Sequence, residues 1–486
     1  MNTNELGTKL YEGNVKELFL NASTKLYNSV AHTLGPDGLN SAIPTSNQYL
    51  SIINDGKTIL ETLSSGDIAE KLALNTLKES AFATNKNAGD GTTTTIIMQH
   101  ELLDHISEYN HDVLMGESPE DRVTSDDLVK TRDALLEELK GYKKDIQSDD
   151  DLKNIITVSL GSNKFTDIVF NAFNNLALGQ KPTLVKVNTK STTDYVEIDG
   201  VNLAPVEVNP VVLKSISLSG DEPLNVLILN QEVSRIDNAF ASLLTKISKS
   251  NKKTILLYTD IKPSVMDQLL YNIQEGALNL IPVRLAMPIT QIDEIISDLE
   301  EYFGCKALSD MLPYQTNHNN EEIFGNGIGY ILNKDSVIVK NDNEEYNNKE
   351  HLVPSHSSAI EIGFITFSQQ DEDYRRLEDA VQSAYNARNY GYLLGAGYTY
   401  YCLGNFLDKE NKKNEPIIKA LQSIFYRLLN NHSHDEFVKY IRDNIFDSYK
   451  VVEQVILNSF TVVAQILSTN CVLVPYQRNR INGNIE

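Results

Sequence analysis

Tryptophan is absent from this chain of 486 residues, and cysteine and methionine are rare. The three cysteines, Cys305, Cys402 and Cys471, lie far apart, which excludes a disulfide framework and the paired spacing of a cysteine zinc site. No apolar run has the length expected of a membrane span, and the first residues lack the charged and apolar regions of a signal peptide. We therefore expect a cytoplasmic protein with no membrane partner.

Basic residues are also in deficit. The chain has 43 lysines and arginines against 66 aspartates and glutamates, which gives a formal net charge of -23. Because such a surface repels polyanions, we expect no nucleic-acid partner. The length exceeds what one hydrophobic core normally supports, so we expect two or three domains.

Three regions differ in the periodicity of their apolar residues. Residues 5–140 and those after 370 repeat apolar positions at helical spacing. Between residues 182 and 368, short β-branched runs such as 183–187 and 330–339 alternate with helical stretches. Alternating strands and helices predict an α/β domain. We predict that this domain is inserted into a helical domain built from both ends of the chain.

The stretch NAGDGTTTT, residues 87–95, combines two glycines, one carboxylate and four threonines just before a helical pattern. Gly89 and Gly91 permit a tight turn, and threonine is favoured at a helix start. A helix N-terminus attracts anions, and Asp90 fits there only if a cation accompanies the anion. Magnesium with phosphate oxygens satisfies both conditions. An ordinary Gly-Asp-Gly turn with a threonine cap explains the same residues, so this stretch alone leaves both interpretations open.

Two further loops, TLGPDG at residues 33–38 and NDGKT at 54–58, also offer glycine-permitted backbone and polar side chains. Each by itself is typical of a turn. The segment GKT lacks the upstream glycine of a phosphate-binding loop, and the glycines at 325–329 do not have dinucleotide-binding spacing. The common nucleotide-binding motifs are therefore absent.

Taken together, TLGP, NDGKTIL and AGDGTTT, in this order and at this spacing, resemble the chaperonin family of ATP-driven ring chaperones. The resemblance continues with RLEDA at residues 376–380, a glycine-rich turn at 395–397, IFDSYKV at 445–451 and a closing strand at 466–475. These matches span nearly the whole chain. AGDGTTT combined with a distant LEDA is highly specific for the family.

The resemblance implies a chaperonin fold, which is a multidomain α plus α/β architecture, GroEL-like and with a group I-type apical domain. A helical equatorial domain would bind ATP, a small intermediate domain would act as a hinge, and an inserted α/β apical domain would bind substrates. The implied boundaries are residues 1–137 and 391–486 for the equatorial domain, 138–194 and 369–390 for the intermediate domain, and 195–368 for the apical domain.

The resemblance also implies ATP and Mg²⁺ as cofactors, with K⁺ as an open addition. Asp379 would activate the attacking water, Asp55 would help to order that water, and Asp90 would bind the metal. The implied nucleotide-binding residues are Thr33, Leu34, Gly35, Pro36, Asp90, Gly91, Thr92, Thr93, Thr94, Gly395, Gly397 and Asp447. Hydrolysis of a phosphoanhydride needs neutralised oxygens and an oriented water, so these residue types suit the reaction.

In the apical region, residues 235–253 and 264–275 resemble two helices that present apolar residues to unfolded chains. The implied substrate-binding residues are Ile236, Phe240, Leu243, Leu244, Met266, Leu270 and Tyr271. Their spacing is also that of ordinary core packing, so burial remains the alternative. In the preceding segment, Val201, Val206 and Glu207 stand where relatives have aromatic residues.

We therefore predict an ATP-hydrolysing chaperonin that forms homo-oligomeric rings and assists the folding of non-native polypeptides, with a co-chaperonin lid as an open partner. Two alternatives remain: a chaperonin-fold binding or structural protein with little or no ATP turnover, and an unrelated small-molecule kinase. Compared with group I members, the chain is shortened between residues 339 and 359 and lacks the adenine-contacting hairpin between 431 and 447. We interpret it as a compact, divergent member and leave an origin in a virus or mobile element open.

Overall fold

A computed structural model describes residues 6–35, 38–44, 50–115, 119–174, 176–187, 190–250, 252–287, 289–309, 323–334, 336–341, 346, 353, 355–429 and 433–477. The chain divides into two compact units, Met1–Asp167 with Asp371–Glu486, and Ile168–Gln370. The first unit is built from both ends of the chain, and the second is inserted between them. The predicted combination of a helical part with an inserted α/β part is confirmed. The three-domain boundaries proposed above stay a prediction.

The helices are given in chain order. They are α1 (Val15–Val30), α2 (Gly56–Thr62), α3 (Ile68–Ala88), α4 (Thr92–Met115), α5 (Ser125–Tyr142), α6 (Asp149–Leu160), α7 (Thr166–Phe173), α8 (Pro210–Ser215), α9 (Asn238–Lys249), α10 (Pro263–Gln274), α11 (Ile289–Phe303), α12 (Phe367–Tyr390), α13 (Tyr398–Phe406), α14 (Asn414–Leu429), α15 (His434–Asn444) and α16 (Tyr449–Ser468). Short 3-10 turns occupy Ala31–Thr33 and Pro119–Asp121.

The strands are also given in chain order. They are β1 (Leu6–Leu10), β2 (Ser41–Pro44), β3 (Leu50–Ile53), β4 (Thr183–Val187), β5 (Asp194–Leu203), β6 (Val206–Val208), β7 (Ser219–Gly220), β8 (Leu224–Asn230), β9 (Lys253–Tyr258), β10 (Leu280–Leu285), β11 (Leu308–Ser309), β12 (Gly325–Gly327), β13 (Gly329–Leu332), β14 (Val337–Lys340), β15 (His356–Gly363), β16 (Tyr392–Leu394), β17 (Phe446–Ser448) and β18 (Leu473–Gln477).

The first unit packs its long helices around one hydrophobic core. Leu26 of α1, Leu77 of α3, Ile106 of α4 and Phe460 of α16 are all fully buried in it. Removing these apolar side chains from water stabilises the arrangement, because each buried aliphatic or aromatic side chain contributes about 1.5–3 kcal/mol.

Helix α16 is long and apolar enough to cross a membrane by length and composition alone, the one helix in the described part of the chain that meets this test. More than half of its apolar window is buried inside the protein, where Val455, Ile456 and Phe460 contribute to the core. We therefore interpret α16 as a core helix of the first unit.

Side-chain caps fix where several helices begin. Thr124 and Asp127 form a reciprocal capping box at the start of α5, and Ser148 and Asp151 form another at the start of α6. Each box satisfies backbone N–H groups that have no partner within the helix, so the local sequence defines these starts.

The inserted unit contains two six-stranded sheets. In the first, β8, β9 and β10 are parallel neighbours, and their buried, β-branched and leucine-rich sequences match strands covered on both faces. The second sheet has the order β4-β15-β5-β14-β13-β7. The run 330–339, predicted as one strand segment, forms an antiparallel pair of strands, β13 and β14.

Helices α9 and α10 pack on the core of the inserted unit, so most of the predicted substrate-binding residues are buried in this structure, and their role in binding stays a prediction. Phe240, Leu243, Met266 and Leu270 are buried in the core of the inserted unit, because the apolar stripe of each helix packs against the strands. Ile236 and Leu244 are partly buried against the same core. Of the seven residues expected to contact substrates, Tyr271 alone is widely exposed.

The closing segment also differs from its prediction. Residues 466–468 form the last turn of α16, and the strand β18 begins only at Leu473. Strand β18 then pairs antiparallel with β1, which joins the two ends of the chain in one small sheet.

Replacement of Phe240 tests whether α9 packs inward. Phe240 is 1% exposed and Tyr271 is 64% exposed, so they form a matched pair of aromatic residues on neighbouring helices. We expect Phe240→Ala to lower the free energy of unfolding of the inserted unit by about 3–5 kcal/mol, because truncation leaves a cavity. Tyr271→Ala should change it by less than about 0.5 kcal/mol. Hydrogen exchange of the β9 amides measures both values, and equal, small effects would show that Phe240 faces solvent.

Candidate functional site

The loop between α3 and α4 is shaped by two glycines in the left-handed region. Gly89 ends α3 with φ 73°, and its N–H donates to the carbonyl of Asn85. Gly91 follows with φ 95°, and α4 begins at Thr92. Side chains other than glycine are strained at these angles, so the sequence Gly-Asp-Gly itself produces the sharp turn. The turn places Asp90 immediately before the N-terminus of a long helix.

Helix α12 lies directly on this loop. A Cβ atom added to Gly89 would lie 1.7 Å from Cγ of Gln382, so no side chain fits between the loop and the helix. The side chain of Asn386 donates from Nδ2 to the carbonyl of Ala88 at 2.6 Å, and Asn386 is buried. Since Asp379 lies about one helical turn before Gln382, this packing carries Asp379 towards Asp90.

The threonines at the start of α4 connect it to the two other predicted loops. Thr93 Oγ1 lies 3.5 Å from Thr33 Oγ1. A Cβ added to Gly56 would lie 2.2 Å from the same Thr93 oxygen, so the first residue of α2 also touches this point. The buried Thr95 donates to the carbonyl of Gly91 at 2.8 Å and secures the turn. The structure thus brings together loops that the sequence separates by up to 60 residues.

Asp55 caps the N-terminus of α2. Its Oδ1 accepts from the N–H of Lys57 at 3.1 Å, and its Oδ2 accepts from the N–H of Thr58 at 3.0 Å. The Thr58 hydroxyl also donates to Oδ2. These bonds fix the orientation of the Asp55 carboxylate, whose charge acts on Asp90.

Three carboxylates influence one another electrostatically. Burial raises the pKa of Asp90; the Gly91 amide, which donates to its Oδ1, opposes the shift, and the charge of Asp55 adds to it. Burial also raises the pKa of Asp379 well above its ordinary value, and the charges of Asp90 and Asp55 raise it further. Like charges in a desolvated space disfavour ionisation, so this arrangement favours a bound cation.

Asp447 joins the same group from the other end of the unit. Strands β16 and β17 pair Leu393 with Asp447, and a Cβ added to Gly395 would lie 2.8 Å from Asp447 Oδ1. Burial, with a smaller contribution from the charge of Asp90, raises the pKa of Asp447 to about 7. Gly397 has φ 73° and lies against the backbone of Phe425, where an added Cβ would be 2.7 Å from its nitrogen.

The donor set suits a hard divalent cation that carries ligands of its own. No three histidine, cysteine, aspartate or glutamate side chains in the described part of the chain are placed to hold a metal ion by themselves. Magnesium is commonly held by one or two carboxylates together with phosphate oxygens and water. Asp90, beside the free N-terminus of α4, fits that mode of binding.

The remaining predicted residues have varied surroundings. Gly35 has φ 86°, and an added Cβ would lie 2.6 Å from Leu428 Cδ2. Leu34 packs partly buried against the core of the unit. Thr92 is buried and Thr94 is partly exposed at the start of α4. Pro36 lies outside the residues that the structure describes.

A helix occupies the region where the adenine-contacting hairpin was expected to be missing. Helix α15 packs Val438 and Ile441 against Phe425, and Ala396 and Ile445 contact this cluster. The turn at Gly395 therefore borders an apolar, aromatic wall contributed by α14 and α15.

Two residues near the acidic group were not identified from the sequence. Lys57 opposes the rise in the pKa of Asp379, and Tyr400, which is buried, has its pKa raised well above the ordinary value by burial and by Asp447 and Asp90. Lys57 lies within NDGKTIL. Because this segment lacks the motif of a phosphate-binding loop, nothing in the sequence marks the lysine as functional. Nothing in the local sequence distinguishes Tyr400 from the other tyrosines of α13.

Comparison with known proteins gives consistent results over almost the full chain. Residues 26–437 match the model of the TCP-1/cpn60 chaperonin family. The chloroplastic chaperonin GroEL of Gracilaria tenuistipitata var. liui is 20% identical, over 96% of this chain and 98% of the relative. Chaperonin GroEL 1 of Corynebacterium glutamicum strain R is 22% identical, over 96% of both chains.

The fold also matches a solved structure. The chaperonin gp146 from bacteriophage EL 2 (Pseudomonas aeruginosa), crystallised in the presence of ATP-BeFx, aligns with a TM-score of 0.68 in one crystal form and 0.64 in another, each at 15% identity. The first alignment covers 94% of this chain and 97% of gp146. The predicted chaperonin fold is therefore confirmed.

Substitution of Gly89 tests the contact between α12 and the loop. Gly161 ends α6 with φ 63° and has open space where a Cβ would stand, so Gly161→Ala carries only the backbone strain. Gly89→Ala adds a clash with Gln382. We expect Gly161→Ala to destabilise by about 1 kcal/mol and Gly89→Ala by about 2 kcal/mol more, since forced overpacking adds its own cost. Urea unfolding of the first unit measures both, and equal effects would contradict the packing described.

Removal of the Asp447 charge tests the electrostatics of the site in the absence of ligands. A folded-state pKa of about 7, above the ordinary value of 3.8, means that the folded protein holds this proton more tightly than the unfolded chain. The stabilising contribution of the protonated group is complete below pH 4 and is lost as the pH rises through about 7. We expect Asp447→Asn, which cannot ionise, to gain stability relative to the wild type across this range.

Thermal unfolding in a metal chelator without nucleotide, at intervals between pH 4.5 and 8, measures that difference. Asp90 and Tyr400 interact electrostatically with Asp447. At each pH, the unfolding temperature of the variant is therefore compared with that of the wild type. Parallel profiles for the two proteins would show that Asp447 ionises like an exposed aspartate.

Proposed function

Because the chain belongs to the TCP-1/cpn60 chaperonin family, we propose that it is an ATP-hydrolysing chaperonin that forms homo-oligomeric rings and assists the folding of non-native polypeptides in the cytoplasm. The observation that carries the ATPase proposal is the convergence of Asp55, Asp90 and Asp379 beside the N-terminus of α4. These partly exposed acids come from three separate parts of the chain, and a structural role alone gives no reason to place them together.

The N-terminus of α4 is the proposed site of the phosphates. The amides and hydroxyls of Thr92, Thr93 and Thr94, which follow the tight turn at Gly91, suit the binding of anionic oxygens at a helix start. Bound beside Asp90, Mg²⁺ would neutralise charge on these oxygens. The crystals of gp146 were obtained with ATP-BeFx, which agrees with a nucleotide in the corresponding fold.

Asp379 is the proposed general base. A water molecule held by Asp55 and Asp379 attacks the γ-phosphorus, a new oxygen–phosphorus bond forms, and the bond to the β–γ bridging oxygen breaks. Asp379 accepts the proton of the water, and ADP and inorganic phosphate leave. The raised pKa of Asp379 makes its ionised form a stronger base than an exposed aspartate, which favours this transfer.

The other side of the site is proposed to hold the nucleoside. Gly395 and Gly397 leave room at the turn before α13, and Asp447 lies beside Gly395 with carboxylate oxygens suited to ribose hydroxyls. Leu34, Gly35 and Pro36 would lie against the nucleotide. A lid protein and K⁺ are further elements that the family adds to this proposal.

The inserted unit is the proposed site of client binding. Because six of the seven expected contact residues are wholly or partly buried, capture of a client by this conformation would rest on exposed residues such as Tyr271. A repacking of α9 and α10 would be needed before the others could take part.

Substitution of Asp379 tests the proposed function. Asp379→Asn keeps the shape of the side chain but cannot accept the proton, so we expect ATP hydrolysis to slow by about 10²- to 10⁴-fold. ATP affinity should stay within about threefold, because the effect is on the reaction and not on ground-state binding. Phosphate release and calorimetric titration measure the two quantities.

Asp371→Asn is the matched control, since Asp371 is an exposed aspartate on the same helix and its charge does not contribute to the shifted pKa of Asp379. It should leave hydrolysis unchanged. Wild-type protein that binds ATP without releasing phosphate would favour the binding or structural alternative. An Asp379→Asn variant as fast as the wild type would refute the assignment of the base.

A further inference from the structure

The fourth threonine of the run at residues 92–95 is not explained by the proposed phosphate site. Thr95 is 0% exposed, so a ligand at the start of α4 cannot reach its hydroxyl. A buried hydroxyl is costly unless it is hydrogen-bonded, and valine has the same shape without that cost. The hydroxyl of Thr95 therefore needs an explanation of its own.

This hydroxyl contacts the turn that precedes α4. Its oxygen lies 2.8 Å from the carbonyl oxygen of Gly91, which also accepts the backbone N–H of Thr95 at 2.9 Å. Two donors on one residue thus hold the same carbonyl group. Because a peptide unit is planar, the direction of the Gly91 carbonyl fixes the direction of the Thr92 N–H in that unit. Thr92 provides the first amide of α4, one of those proposed above to bind phosphate oxygens.

Gly91 is a residue at which such a restraint matters. Its φ is 95°, and a glycine has no side chain to limit the rotation of the peptide units beside it. A turn that is already held in its binding geometry loses less conformational entropy when a ligand binds. A second bond to the Gly91 carbonyl therefore favours binding at the Thr92 amide.

Thr84 of α3 holds the Thr95 hydroxyl from the other side. The two hydroxyl oxygens are 3.1 Å apart, and Thr84 is also 0% exposed. The Thr84 oxygen accepts from Asn458 Nδ2 at 2.9 Å, and its hydroxyl donates to the Ser80 carbonyl at 3.1 Å. A hydroxyl has one donor and two acceptor positions, so all three are occupied. Bonds to α3 and to α16 thus fix the position of the group that contacts Thr95.

The methyl group of Thr84 supports the same turn. A Cβ added to Gly91 would lie 3.1 Å from Thr84 Cγ2 and 3.0 Å from Val451 Cγ1 of α16. The turn therefore packs on an apolar surface formed by α3 and α16. Apolar contacts have no preferred direction, so the hydroxyl pair adds a directional restraint that this surface does not provide.

We propose that Thr84 and Thr95 are positioning residues, which hold the peptide unit between Gly91 and Thr92 so that the Thr92 amide is directed at a phosphate oxygen of the bound nucleotide. This inference rests on the proposed function, because it assumes that phosphates bind at the start of α4. Thr95 acts on the turn directly, and Thr84 acts through Thr95. Neither side chain touches the ligand.

Titration of nucleotide into Thr95→Val tests the inference. We expect the affinity for a non-hydrolysable imido analogue of ATP, with Mg²⁺, to fall by about 3- to 10-fold, the effect of one hydrogen bond. The unfolding temperature should stay within about 3 °C of the wild type, because the Gly91 carbonyl and the Thr84 hydroxyl each keep another partner. Thr95→Ser keeps the hydroxyl and should bind the analogue within about twofold of the wild type. Calorimetry on the full-length protein gives these affinities.

A double-mutant cycle tests whether Thr84 acts through Thr95. Thr84→Val by itself should weaken binding of the analogue by about threefold. Added to Thr95→Val, it should change the affinity by less than about 1.5-fold, because the hydroxyl through which it acts is already absent. A further threefold loss, about the product of the single effects, would show that the two residues act independently and would overturn the role of Thr84.

Ser80→Ala is the matched control. Ser80 lies about one turn before Thr84 on α3 and accepts a hydrogen bond from Gln99 of α4, so its replacement also removes a side-chain bond between these helices. Because the buried Gln99 amide then loses its partner, the unfolding temperature should fall. The affinity for the analogue should stay within about 1.5-fold of the wild type, since the bonds at the turn are kept.

The inference is overturned if Thr95→Val binds the analogue as tightly as the wild type. It is equally overturned if affinity and unfolding temperature fall together in Thr95→Val, because that result would indicate a structural role. Wild-type protein that binds the analogue without hydrolysing ATP would refute the ATPase proposal alone, and the affinities of the variants would still decide the role of the two threonines. Wild-type protein that does not bind the analogue would reject both proposals.

Discussion

Desolvation of closely placed, partly exposed carboxylates, reinforced by the charges between them, is the constraint on which the site depends. Desolvation is the largest cause of the raised pKa of Asp90, Asp379 and Asp447. The charge of Asp55 adds to the first two shifts, and that of Asp90 adds to the last two. Such a group is costly to the folded state unless a cation neutralises it. Keeping these acids together lowers the stability of the folded protein, and a cation bound with a charged ligand would restore it.

Packing of α12 against the loop between α3 and α4 holds the acids in place. Helix α12 lies so close to Gly89 that no side chain fits between them, and Asn386 bonds to the carbonyl of Ala88. The loop joins α3 to α4, which share a hydrophobic core with α1 and α16. The Thr95 hydroxyl donates to the carbonyl of Gly91 and so holds the turn against the start of α4. The stability of the hydrophobic core thus offsets the electrostatic cost at its edge, which is a common relation between scaffold and active site.

Local chemistry in the sequence predicts many of the helices and strands, whereas one apolar pattern leaves two interpretations open. The runs at β4, β8 and β9 and the periodic helices α5, α12, α14 and α16 follow from β-branched content and helical spacing, and the structure contains them. The apolar stripes of α9 and α10 suit either substrate binding or core packing, and in this structure Phe240 and Met266 are buried. A stripe that covers a sheet and a stripe that binds a partner have the same period, so periodicity cannot distinguish them.

The sequence by itself determined the turn at Gly89 and Gly91, the caps at Asp55 and Thr124, the alternation of strands and helices in the middle, and the acidic character of the surface. Each of these depends on residues within one helical turn or on composition. Only the tertiary structure decided that Lys57 and Tyr400 lie near the acids. It also decided that α12 packs against the loop at Gly89 too closely for a side chain to fit between them. Those features depend on distances between residues hundreds of positions apart, which are set by how the core packs, and no local pattern encodes them.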